Sequence, residues 1–253
     1  MAGFIQHKLD QSIRFLRRHL SLKNKDFPYY ILAFSAFAVA VVGLNLFVEI
    51  TEELGEGGLA PYDDRIFEYL WSFRPGFDDF FLFITDFGGF WTYVIATAII
   101  TPFLFWKFRH WRFVLQLLLV IIVAGLSNQF LKEIFQRARP SIENMMIAVE
   151  TLSYPSGHAM CAISYYGFLA YLIFHIKMKK YLRWMIFTVL VFLIAAIGIS
   201  RVYLGAHYAS DVVAGYIAGI IWLMLCIVLF TILRINQKRK ARRNPQEEIQ
   251  NLG

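Results

Sequence analysis

At 253 residues, 58% of them hydrophobic, with a mean hydropathy of +0.53, the chain is too apolar for an ordinary soluble domain, where apolar usage is nearer half. Its net charge of +7 is spread over short clusters between apolar runs, which excludes a nucleic-acid-binding stripe and leaves membrane topology as its explanation. Cys161 and Cys226, the two cysteines, both lie inside apolar runs, so neither a disulfide framework nor structural zinc is expected.

Residues 1–27 carry Ile5, Leu9, Ile13, Leu16 and Leu20 at three- and four-residue spacing among Lys8, Arg14, Arg17 and Arg18. They read as a basic amphipathic cytoplasmic segment on the membrane surface, with the apolar run placed too late for a cleavable signal peptide. A first span is predicted over about 29–50, enough to cross roughly 30 Å of hydrocarbon. Residues 51–88 break the apolar pattern with nine acidic residues against Arg65 and Arg74, and belong in water or at the interface. Within them Ile66, Phe67, Leu70 and Trp71 share a helical face, and Phe80, Phe81, Phe83, Phe87 and Phe90 form an aromatic approach to the next span. Interfacial anchoring accounts for these, with a lipid entrance as the alternative. Asp63-Asp64 and Asp78-Asp79 read as solvated acids at helix starts in preference to metal ligands.

Further apolar runs over about 90–106, 113–131, 159–176, 184–199 and 212–233 complete the set. The predicted fold is all-α, a polytopic membrane protein with six transmembrane helices plus interfacial helices. The six-span domain covers 28–236, and a basic cytoplasmic tail covers 237–253. Basic clusters occupy alternate connections: Lys107, Arg109 and Arg112; Lys177, Lys179, Lys180 and Arg183; then Arg234 through Arg243. By the positive-inside rule both termini are cytoplasmic, and the acidic segment and the two remaining connections face outward.

Those two outward connections hold charges that topology does not explain. Lys132, Arg137 and Arg139 follow the third span; Arg201, His207 and Asp211 lie between the fifth and sixth. A bound anion would account for the cations, since guanidinium forks grip phosphate oxygens and an ammonium adds a point charge. Each alone also works as a snorkelling or structural charge. Before the apolar run at Ala159 stands the turn Tyr154-Pro155-Ser156-Gly157-His158. Ser156 and Gly157 at a helix N-terminus make an anion cradle, with the His158 imidazole beside it to exchange protons, although Pro-Ser-Gly is also an ordinary helix cap. A helix beginning near Ala206 would put His207 and Asp211 on one face, so that the carboxylate fixes the imidazole's tautomer. The alternative is that Asp211 caps the sixth span while His207 rests at the interface.

Lys132 through Arg139-Pro140 matches the K-x6-R-P element of the type 2 phosphatidic acid phosphatase superfamily, Pro155-Ser156-Gly157-His158 its P-S-G-H element, and Ser200-Arg201 through His207 to Asp211 its S-R-x5-H-x3-D element. The chain thus resembles the integral-membrane branch of that family. The resemblance implies His207 as the nucleophile that takes the phosphoryl group, Asp211 as its orienting carboxylate and His158 as the general acid. It implies Lys132, Arg139, Arg201, Ser156 and Gly157 as the phosphate-binding groups, with a phosphohistidine intermediate and neither metal nor cofactor. The implied partners are the bilayer and a membrane lipid phosphate, with no nucleic acid. The implied location is the cell membrane, with the site on its outer, periplasmic or extracellular, side. Undecaprenyl diphosphate, phosphatidylglycerophosphate and phosphatidate fit the motifs, as do lipid A phosphates. A non-enzymatic anion or lipid-phosphate transporter is the reading from another class.

Overall fold

The computed structural model describes residues 26–109, 111–140, 145–147, 149 and 151–243, so the amphipathic segment expected over 1–27 falls almost wholly outside the described residues, as does the end of the tail. Eight helices and no strand occur among the described residues: α1 (Phe27–Gly55), α2 (Ala60–Trp71), α3 (Asp78–Asp86), α4 (Phe90–Phe108), α5 (Arg112–Phe135), α6 (Gly157–Ile173), α7 (Lys180–Tyr203) and α8 (Ala209–Arg243).

Five of these, α1, α4, α5, α7 and α8, are long and apolar enough to cross a membrane. The remaining expected span, over about 159–176, is α6, an apolar helix of 17 residues. Its length is at the short end for a bilayer crossing. The physical reason lies in its surroundings. Buried residues follow one another around α6, among them Met160, Ala162, Ser164, Tyr165, Phe168 and Leu172, and both α5 and α7 pack on it. A helix enclosed by protein need not match the hydrocarbon thickness. The outer helices show the reverse pattern, with Phe34 on α1, Trp91 and Ile99 on α4 and Phe192 on α7 exposed as lipid-facing residues are. The basic tail is helical further than its composition suggests, since α8 continues to Arg243.

The chain divides into two compact units. In the unit that includes 26–39 and 224–243, the Tyr29 ring lies under Arg234, 4.8 Å from its guanidinium carbon, and its hydroxyl accepts from Lys238 at 3.1 Å. All the candidate site residues belong to the other unit, residues 40–223.

There the acidic segment forms part of the protein wall. Phe67 and Leu70 of α2 pack on Ala159, Val202, Ala209 and Val212. On α3, the Phe81 ring lies 4.3 Å from that of Tyr203, whose hydroxyl donates to Asp78 at 2.6 Å. The expectation that Asp63 is a solvated helix-start acid is therefore wrong. Asp63 is in the first turn of α2 but only 2% exposed, while Asp64 beside it is exposed. Docking of α2 against α7 and the start of α8 selects one helix face, and Asp63 lies on it.

Candidate active site

The cations converge because α5 stops abruptly. Gln136 adopts a left-handed conformation at φ 46°, its N–H bonding Lys132 O, and the chain doubles back so that Ser153 N–H meets Arg137 O at 2.9 Å. Lys132, buried, donates to Leu152 O at 2.7 Å and to Thr151 Oγ1 at 3.1 Å. Arg139 reaches the same two acceptors, at 3.2 and 2.9 Å, bonds Ala206 O, and brings Nη1 to 3.1 Å from His207 Nε2. Arg201, also buried, donates to Thr85 Oγ1 at 2.8 Å, while its Nε has no partner. The buried Ser156 Oγ likewise has none. Among the described residues Lys132, Arg139 and Arg201 meet no carboxylate. Burial lowers the pKa of Arg139, so its charge gains from any anion that enters.

Arg137 behaves differently. Its guanidinium bonds Asp63 at 2.9 Å and Asp211 at 2.5 Å, which makes it a paired structural charge.

His207 is held by the end of α7. Gly205 adopts φ 70°, a conformation glycine reaches without a Cβ penalty, and the N–H groups of Ala206 and His207 both fold back onto Arg201 O. α8 begins at Ala209, not near Ala206 as expected, so His207 lies in the turn ahead of the helix. The pairing survives because Asp211 Oδ2 reaches back over the helix start, accepting from Tyr208 N–H at 3.0 Å and approaching His207 Nδ1 at 3.4 Å. The carboxylate thus satisfies a free N-terminal N–H and faces the imidazole at once. Ser153 completes the arrangement, donating to Asp211 at 2.5 Å and lying 3.4 Å from His207 Nδ1. Burial, reinforced by Arg201 and Arg139 and opposed by the Asp211 contact, pushes the His207 pKa down to about 3. The imidazole is neutral at pH 7. With acceptors around Nδ1 and the Arg139 donor at Nε2, its partners assign the proton to Nδ1 and the lone pair to Nε2, aimed at the cations.

His158 stands in the first turn of α6, half-buried, in electrostatic range of Arg201, His207, Lys132 and Arg139. It fits against the α3–α4 turn because residue 88 is glycine; a methyl there would lie 2.8 Å from the imidazole Cδ2. Gly157 also packs closely on Asn128, since an added Cβ would lie 2.7 Å from Asn128 Oδ1. Asn128 in turn donates to Pro155 O at 3.0 Å and holds the turn. A cavity of about 830 Å³ opens between α4, α5 and α6, with apolar residues such as Val94, Ile121 and Leu126 along it and Gly157 and His158 at its end.

Each sequence-predicted site residue therefore falls in one region of the 40–223 unit. Ser153, Thr85, Thr151, Asn128 and Asp63 were missed, because a lone polar residue carries no spacing signal.

The PAP2 superfamily model matches residues 113–234, the stretch that holds all three motif elements. Over that stretch, a little under half of the chain, the sequence is that of a PAP2 superfamily member. The chain is 35% identical over 112 residues to phosphatidylglycerophosphatase B of Bacillus subtilis, covering 43% of this chain and 55% of that one. It is 32% identical over 161 residues to the lipid A 4'-phosphatase of Porphyromonas gingivalis, covering 58% and 64%. The chain thus spans less than two thirds of either relative. The crystal structure of a transmembrane PAP2-type phosphatidylglycerolphosphate phosphatase from Bacillus subtilis superposes with a TM-score of 0.69 at 28% identity, over 74% of this chain and 93% of that one. That of Aquifex aeolicus LpxE superposes at 0.54 and 24% identity, over 64% and 93%, a likeness of fold alone. With these neighbours and five apolar helices of spanning length, the chain is a multi-pass membrane protein.

Proposed function

We propose that this PAP2 protein is a lipid phosphatase that removes a phosphate group from a membrane lipid through His207. The observation that carries the reading is the set of three cations, Lys132 and Arg201 buried and Arg139 half-buried, that meet no carboxylate among the described residues and gather beside the lone pair of a neutral imidazole. A phosphoryl group supplies the anion this cluster calls for, and Arg201 Nε and Ser156 Oγ are two buried donors left to bind it. The apolar cavity that ends at His158 suits a lipid tail, whose leaving oxygen would then lie at the imidazole. The names of the two relatives, both lipid phosphate phosphatases, agree with that class.

In the first step His207 Nε2 attacks phosphorus, the bond from phosphorus to the lipid oxygen breaks, and His158 protonates that oxygen. Asp211 supports the positive charge the imidazole gains as its Nε2 bonds to phosphorus. Water then attacks the phosphohistidine, giving its proton to His158, and inorganic phosphate leaves as the N–P bond breaks. Lys132, Arg139 and Arg201 neutralise the charge on the equatorial oxygens, the work a magnesium ion does elsewhere. No group of three or more metal-ligating side chains occurs among the described residues. The basic connections support cytoplasmic termini and a site facing outward.

The test is phosphate release by purified protein in detergent with chelator present, from phosphatidylglycerophosphate, phosphatidate, lipid A and undecaprenyl diphosphate. At least one is expected to be hydrolysed, with vanadate inhibiting. A tail-less glycerol phosphate turned over as well as every lipid would remove the cavity from the reading; no release from any of them would remove the reading itself.

A further inference from the structure

Asp211, the carboxylate that faces His207, carries a burden the reaction does not require. Its Oδ1 accepts from Arg137 at 2.5 Å, a full counter-charge that would leave little of its field for the imidazole on the other oxygen. A second carboxylate, from the acidic segment, meets the same guanidinium. Asp63 Oδ2 lies 2.9 Å from Arg137 Nη2 and accepts from Ser210 Oγ at 2.6 Å, while its Oδ1 takes the Ser210 N–H at the start of α8 at 2.8 Å. Ser210 Oγ in turn accepts from Arg137 at 2.8 Å, so the ring of contacts closes.

Two buried carboxylates and one guanidinium leave a single net negative charge next to His207. Every other charge facing that imidazole is positive or becomes so: Arg139, Arg201 and, from α6, His158. Phosphorylation at Nε2 makes the imidazole cationic among those groups. Without Asp63 the Arg137–Asp211 pair would be neutral overall and would offer the imidazolium little.

We propose that Asp63 is a positioning residue of this site, offsetting Arg137 and anchoring the start of α8 so that the negative charge of Asp211 remains available to His207. Nothing in its sequence surroundings distinguishes it from the other acids of the 51–88 segment; its burial and two partners do. The inference rests on the phosphatase reading above.

A charge argument and a merely structural one separate in a double-mutant cycle. Asp63→Asn keeps an acceptor for the Ser210 N–H and removes the charge. Arg137→Gln removes the opposing charge and keeps an amide that can donate to Asp211. The double variant restores one net negative charge. With a soluble aryl phosphate, Asp63→Asn is expected to lower kcat about tenfold, on the scale of a unit charge acting through an interior at this range, with KM unchanged because the phosphate-binding cations are intact. Adding Arg137→Gln to Asp63→Asn should recover most of that kcat, while thermal unfolding in detergent shows the double variant no more stable than the single. Losses that add, or a KM that rises in step with the fall in kcat, would overturn the proposal and reduce Asp63 to a strap on α8. The wild-type arm reports separately on the underlying reading: no phosphate release from any substrate would overturn that reading and the inference with it.

Discussion

Replacing Asp211 by asparagine alters a fully buried side chain by one atom, and the consequence can be worked from its partners. Oδ1 accepts from Arg137 at 2.5 Å; Oδ2 accepts from Tyr208 N–H at 3.0 Å and Ser153 O–H at 2.5 Å and faces His207 Nδ1 at 3.4 Å. Donors occupy both sides, and an amide accepts on one side only. If the amide oxygen stays on Arg137, the NH₂ group opposes the Tyr208 N–H, leaving a buried donor unpaired at about 1–3 kcal/mol. The same NH₂ then donates to His207 Nδ1 and moves the imidazole proton to Nε2, where attack on phosphorus needs a lone pair. The reversed amide would instead set NH₂ against a guanidinium, which is worse, although Asp63 would retain that guanidinium. Turnover should therefore fall by on the order of 10⁴, the scale set by a triad histidine held in the wrong tautomer. The assay is phosphate release from a soluble aryl phosphate, with thermal unfolding in the same detergent to show that the variant is folded. A folded variant that keeps turnover within about tenfold of wild type would refute the tautomer argument and leave Asp211 as the cap of α8.

His158→Ala should lower turnover of a lipid phosphate by on the order of 10²–10⁴ and of an aryl phosphate far less, because a phenolate leaves without a proton; equal losses on both would remove His158 as the leaving-group acid. His207 titrates near 3 when folded against about 6.5 unfolded, so the unfolded chain binds the extra proton between those values. Stability is complete above about pH 6.5 and declines as pH falls toward 3, by up to about 1.4 kcal/mol per unit. His207→Gln should lack that component, and identical stability slopes for the two proteins between about pH 6.5 and 5 would contradict it. In a chain with Cys161 and Cys226 replaced by serine, an impermeant thiol reagent should label Glu56→Cys in intact cells and Lys179→Cys only after lysis; the opposite pattern would invert the orientation.

Besides the inward turn of Asp63, one expectation drawn from the sequence changed on folding, for a local reason. His207 and Asp211 were expected on one face of a helix beginning near Ala206, yet the helix begins at Ala209 and the pair meets across its first turn. The four-residue spacing identified the right partners while the backbone between them depends on Gly205 and on Asp211 taking the Tyr208 N–H. The 17-residue α6, expected as one span among six, is short for a crossing and largely buried, with α5 and α7 packed on it. Hydropathy reports how apolar a segment is and not whether lipid or protein surrounds it.

By itself the sequence determined what is periodic, local or spaced along one segment: the apolar runs that must be helical to satisfy their backbone in lipid, the alternation of basic connections, and three short elements whose residue types suit phosphate. Tertiary structure decided what depends on packing between distant segments. It turned Asp63 inward and left Asp64 in water. It gave Arg137 two carboxylates while leaving Lys132 and Arg139 with carbonyl and hydroxyl partners. It also placed Ser153 between Asp211 and His207. A cation reads the same in sequence whether it neutralises a neighbour or awaits a ligand, because the distinction is the distance to a carboxylate many residues away.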